Sequence, residues 1–294
     1  MINYEINLGP GTIPRPLADY TGYLLRAAHD RALRIAATVV PPGRSAREFG
    51  VLSVLVAGPS SQQQLADMLH VNRTMMVQVV DSLEADGLVE RRRNPADRRS
   101  YALQLTPAGH EAFLAMIPAI EKGQDALLSP LSPRERKRLN SHLRAVGGLS
   151  GETIAGGLED RTGYLLAKAF FDTRDRVTAA IGSIDIEPKH FGTLSVLDDL
   201  GPSPQQRIAE QLGISGTMIV QMVDELEAKG LVERRRNPAD RRSYALEMTA
   251  PGRAALKRAR GAIAEVEGEI ASTLGADGAE DLRSLLRRIL GAPK

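Results

Sequence analysis

The stretch GLVERRRNPADRRSYAL runs from Gly87 to Leu103 and returns unchanged from Gly230 to Leu246, 143 residues later. Between Glu90 and Arg99, five arginines stand against Glu90 and Asp97, a net of +3, and Glu233 to Arg242 repeats it. The 294-residue chain carries a formal net charge of only +2, so everything outside these segments is acidic on balance. All the excess positive charge therefore sits in two short places.

The duplication extends outward from them. Thr21-Gly22-Tyr23-Leu24-Leu25 returns as Thr162-Gly163-Tyr164-Leu165-Leu166, and Phe49-Gly50 with Leu52-Ser53-Val54-Leu55 returns as Phe191-Gly192 with Leu194-Ser195-Val196-Leu197. A period this long is not that of a solenoid; each copy has the size of a domain. The predicted organisation is one unit at 1–146, a linker at 147–157 and a second unit at 158–294. The linker, GGLSGETIAGG, has five glycines in eleven residues, a composition that reads as flexible.

One copy reads as mainly helical. Leu17 to Val40 is a long helix stopped by Pro41-Pro42, and Phe49, Leu52 and Leu55 mark a second. Ser61-Gln62-Gln63-Gln64 is a capping box that opens a short third helix. Asn72 caps a fourth, which buries Met76, Val80 and Leu83 at helical spacing and ends at Gly87. Two extended runs then flank the turn residues Asn94-Pro95-Ala96-Asp97. Thr106-Pro107 starts a long helix, in which Pro118 predicts a kink, and Ser132-Pro133-Arg134-Glu135 caps the last one. The second copy follows the same order.

Helix, tight turn, helix and a two-stranded ribbon with a basic tip make a winged helix-turn-helix, a shape suited to duplex DNA. A helix fits the major groove and reaches base edges, while an arginine-bearing ribbon meets phosphates and the minor groove. The residues expected to touch DNA from the first helix are Arg73, Thr74, Val77 and Gln78. Those from the second are Thr217, Val220 and Gln221. In the ribbons they are Arg91, Arg93, Asn94, Asp97, Arg98 and Arg99, repeated as Arg234, Arg236, Asn237, Asp240, Arg241 and Arg242. Arg73 stands where the second copy has Gly216, which implies unequal half-sites.

GLVERRRNPADRRSYALQLTPAG resembles the wing signature of the MarR family of transcription regulators: a Gly-Leu start, a basic pair, Asp-Arg-Arg at the tip and Leu-Thr-Pro-Gly beyond. Met248-Thr249-Ala250-Pro251-Gly252 departs from it by exchanging Ala and Pro. The resemblance covers both copies nearly end to end. It implies a tandem of two units that make an intramolecular pseudo-dimer on a pseudo-palindromic operator, a single-chain counterpart of the family's dimers. It also implies a repressor released by a small-molecule effector held between the dimer body and the winged lobe, where Tyr23, Arg26, His29, Tyr164 and Phe170 are the candidate lining residues. The alternative is a ligand-sequestering protein that has lost specific DNA readout, a reading to which the sparse polarity of the recognition helices gives room.

Other chemistries have no candidates in the sequence. There is no cysteine, which excludes disulfides and thiolate metal sites. The five histidines lack ligand spacing, so no metal or other cofactor is expected, and no catalytic triad, P-loop or dinucleotide fingerprint appears. No apolar run reaches the ~18 residues that span a membrane. The expected location is the cytoplasm.

Overall fold

The computed structural model describes residues 13–94, 97–149, 155–237 and 240–291. The side chains of 94, 97–100, 155–156, 237 and 240–243 fall outside that description. The first copy contains α1 (Thr21–Val39), α2 (Ala46–Ala57), α3 (Gln62–Leu69), α4 (Arg73–Ala85), β1 (Val89–Asn94), β2 (Asp97–Leu105), α5 (Pro107–Leu128) and α6 (Pro133–Val146). The second contains α7 (Thr162–Ile181), α8 (Pro188–Leu200), α9 (Gln205–Leu212), α10 (Gly216–Ala228), β3 (Val232–Asn237), β4 (Asp240–Met248), α11 (Ala250–Leu274) and α12 (Ala276–Leu290). The fold is mainly α, with two small antiparallel wings.

Local chemistry sets most boundaries. Ser45, Ser61 and Ser132 each close a capping box with the residue three places on. Asn72 accepts from the Met75 N–H at 2.8 Å, and Ser215 does the same for Met218 at 3.2 Å. Pro118 lies inside α5, which continues through it over 22 residues. The first helix begins at Thr21 rather than Leu17. Residues Arg15–Leu17 form a separate 3-10 turn that sinks Leu17 into the core, 1% exposed.

The chain separates into two compact units that cut across the two copies. One contains residues 1–30 and 172–294; the other contains 31–171. Thus α1 is divided at Asp30 and α7 at Phe171. In the first unit, Leu17 packs in one core with Val177, Phe191, Ile219, Leu226 and Ile263, and Tyr20 meets Phe191 edge-on at 5.1 Å. The first turn of α1 is capped from far along the chain: Glu267 in α11 accepts from the Thr21 N–H at 2.7 Å and from its hydroxyl at 2.6 Å. Burial raises the Glu267 carboxyl above its usual range, against the pull of those hydrogen bonds.

The second unit caps α7 with amides instead. Gln124 accepts from the Thr162 N–H at 3.0 Å, and the Thr162 hydroxyl bonds Asn140 at 2.8 Å. Phe49 stacks on Phe113 at 5.3 Å, with the Arg161 guanidinium 5.9 Å above its ring. The ends of the glycine-rich segment pack here too. Leu149 and Leu158 are buried, and a Cβ on Gly147 would lie 3.1 Å from the Ala169 nitrogen. Residues 150–154 lie outside the description.

Each wing is anchored to its lobe in the same way. Leu103 exchanges both backbone hydrogen bonds with Ser60, at 2.8 and 3.0 Å, and Leu246 does so with Ser203. At the exit of each wing Thr106 and Thr249 cap the following helix, and the turn is so close that a Cβ on Gly109 would sit 1.9 Å from the Leu88 carbonyl oxygen.

Candidate nucleic-acid interface

Helix α4 presents a sharply divided surface. Met76, Val79, Val80 and Leu83 are buried, while Arg73, Thr74, Val77, Gln78 and Asp81 face solvent. In α10 Met218, Ile219, Met222, Val223 and Leu226 are buried, and Gly216, Thr217, Val220, Gln221 and Asp224 are exposed. The predicted recognition residues therefore all stand on open helix faces. Val77 and Val220 are each 38% exposed, at matching places on the two open faces.

The arginines of the wings divide into two kinds. Arg91 is tied back to the recognition helix, donating to Glu84 at 2.8 Å and Asp81 at 3.1 Å. Arg234 does the same, with Asp224 at 2.5 Å and with Glu227. Its carboxylate partners hold the Arg234 guanidinium above its usual range, the Asp224 hydrogen bond first among them. These two arginines brace wing against helix. Arg93 and Arg236 are exposed and face Tyr101 and Tyr244 across the strands, both tyrosines being more than half exposed. Neither has a partner among the described residues. Asn94, Asp97, Arg98, Arg99, Asn237, Asp240, Arg241 and Arg242 continue the strands toward the tips, and their side chains lie outside the described residues. The brace had a sequence signal: Asp81 and Glu84, and again Asp224 and Glu227, stand one helical turn apart on one face.

Beneath the recognition helices the two copies use opposite chemistry. In the first, Arg44 pairs with Asp86 at 2.5 Å, and buried Glu48 accepts from Ser82 at 3.3 Å. In the second, Asp185 takes the basic role's place and pairs with Lys229 at 2.8 Å, while buried His190 bonds Glu225 at 2.7 Å. Acid and base, or donor and acceptor, have changed sides together. Glu187, His190 and Glu225 converge closely enough to suggest a metal, but the Lys189 ammonium stands 2.6 Å from Glu225 and 3.5 Å from Glu187 and supplies the cation itself.

The candidate effector residues fall in different units. Tyr23, Arg26 and His29 belong to the first. The Arg26 guanidinium lies 5.4 Å from the Tyr23 ring centroid, and the buried Tyr23 hydroxyl has no hydrogen-bond partner among the described residues. Burial pushes that hydroxyl's pKa up to about 12 and lowers that of Arg26. Tyr164 and Phe170 belong to the second unit, where Phe170 packs on Phe171 and Phe171 stacks on His70 at 4.9 Å. His70, at the turn between α3 and α4, has φ 50°, where the second copy places Gly213. Among the described residues no helix is long and apolar enough to cross a membrane.

Two MarR family models match the chain, one over residues 43–100 and one over 186–244. A Thauera aromatica protein named as a transcriptional regulatory protein for the hcr operon is 32% identical over 142 residues, 47% of this chain and 86% of that protein. The HTH-type transcriptional repressor NicR of Pseudomonas putida is 30% identical over 135 residues, 45% of this chain and 85% of its own length. A solved structure of the transcriptional repressor CouR bound to a 23-mer DNA duplex aligns at 35% identity over 46% of this chain and 96% of that one, with a TM-score of 0.44. Each relative is thus about the size of one copy, and the matched proteins are transcriptional regulators. The chain belongs to the MarR family, as a tandem of two winged helix-turn-helix units.

Proposed function

We propose that the protein is a cytoplasmic transcriptional repressor that grips one operator with both winged lobes as a single-chain pseudo-dimer and lets go when a small molecule binds. The observation that carries this reading is the repeated open face Thr74, Val77, Gln78 and Thr217, Val220, Gln221, in lobes whose wings each carry exposed arginines. Gln is suited to adenine, Thr to a base or phosphate and Val to a thymine methyl. The braced Arg91 and Arg234 set the angle of each wing, leaving Arg93, Arg236 and the tip arginines to meet the backbone. The partnerless Tyr23 hydroxyl beside Arg26 supports a small polar effector in the first unit.

A gel shift with DNA from upstream of the protein's own gene tests this reading. Retardation of that fragment at concentrations that leave unrelated DNA free supports it. Equal retention of both fragments, or of neither, favours a ligand-sequestering protein instead.

A further inference from the structure

Resting on the DNA-binding reading, we propose that this chain binds its operator in one fixed direction, and that Arg73 sets the direction by reading a guanine that only one half-site needs. The two recognition helices differ at five of their positions, counting the residue that caps each C-terminus. Two differences, Met76 against Ile219 and Val79 against Met222, are buried and never face DNA. Two more, Ser82 against Glu225 and Asp86 against Lys229, are taken up by the inverted pairs with Glu48, Arg44, His190 and Asp185 in their own lobes. The fifth is Arg73 against Gly216. Both residues are exposed at the first position of the helix, and Arg73 has no partner among the described residues.

Packing does not demand the glycine. A Cβ on Gly216 would meet nothing within 4 Å, and its φ is not positive. From Thr74 to Asp81 every exposed residue of the helix, Thr74, Val77, Gln78 and Asp81, is duplicated. The two lobes thus share a central readout and differ by one long cation at the helix end that leads into the major groove. An arginine there is suited to bidentate pairing with guanine O6 and N7, which glycine cannot replace. A dimer of identical chains carries this side chain twice or not at all. Here it occurs once, so two orientations on the same duplex are unequal in energy.

Selection from a pool of random duplexes tests the readout. The wild-type chain should enrich two inverted half-sites with the same central bases, one of them carrying an extra G·C pair. Gly216→Arg should enrich that pair on both halves and Arg73→Gly on neither, and removing it should weaken wild-type binding by about tenfold. Direction is read separately. The chain has no cysteine, so Tyr101→Cys, on the exposed first wing, can carry an iron chelate that cuts DNA beside that wing alone. Cuts confined to the guanine-bearing half are expected. Enrichment of one symmetric motif by all three proteins, or equal cutting in both halves, overturns the direction while leaving DNA binding intact. A pool with no enriched motif overturns the DNA reading itself.

Discussion

His190, 1% exposed in α8, holds Glu225 of the second recognition helix at 2.7 Å. Its other ring nitrogen accepts from the Glu187 N–H at 3.1 Å, so the neutral ring with its proton on Nε2 satisfies both contacts. Burial, helped by the Lys189 charge, lowers the His190 pKa against the opposing pull of Glu225 and Glu187. A base whose pKa is lower folded than unfolded binds its proton preferentially in the unfolded chain. Stability is therefore full above the ordinary histidine value and falls as pH drops through about 6.5. Urea unfolding should show the wild type less stable at pH 5.5 than at pH 7.5. His190→Gln should lose much less over the same interval. Equal losses would remove His190 as the cause.

Arg91 and Arg93 should behave differently although they lie two residues apart. Arg93→Ala removes an exposed cation and should lower the slope of log affinity against log salt by about one. Arg91→Ala leaves Asp81 and Glu84 uncompensated and frees the wing from α4. Deuterium exchange in β1 and β2 should quicken, with a stability change below about 1 kcal/mol because the pair is surface-exposed. If exchange in the wing is unaltered, Arg91 is no brace.

The inverted pairs predict a rescue. Arg44→Asp places a second carboxylate beside Asp86 and close to Glu48 and should destabilise the fold by about 0.5–1 kcal/mol. Adding Asp86→Lys recreates the polarity of Asp185 and Lys229 and should recover the melting temperature. A double variant no better than the single would show that the two positions are not coupled.

Gly109→Ala and Gly252→Ala should each cost about 3 kcal/mol or more, since the new methyl would lie 1.9 or 2.0 Å from a backbone carbonyl oxygen that cannot swing aside. Gly216→Ala, with open space around it, should be neutral or slightly stabilising through helix propensity. Thermal unfolding of the three variants checks the contrast.

The parts of this architecture that were legible in the sequence are those written in neighbouring residues. Ser61 with Gln64, Asn72 with Met75, and the spacing of Met76, Val80 and Leu83 need only one or two turns of chain to express themselves, and each stands where the pattern placed it. The wing and its family signature are likewise local. The start of α1 was not legible, because Leu17 is drawn into a core built from residues beyond 172 and Thr21 is capped by Glu267, 246 positions away. The brace at Arg91 was half-visible: its carboxylates share a face, but the register that brings the strand to them is a tertiary fact. The polarity exchange between Arg44–Asp86 and Asp185–Lys229 becomes readable only once the partners are known, since each residue alone resembles ordinary surface charge.

The division of α1 at Asp30 and of α7 at Phe171 has a consequence for folding. One compact unit is continuous in sequence and interrupts the sequence of the other, so the chain passes between them twice. No single cut in the polypeptide separates the two compact units. Deleting either sequence copy takes a helical segment from the unit that survives and strands another, which only a second copy of the shortened chain could take up. The exchange of helical segments thus ties the folding of each copy to the other, even where the two diverge in what they touch.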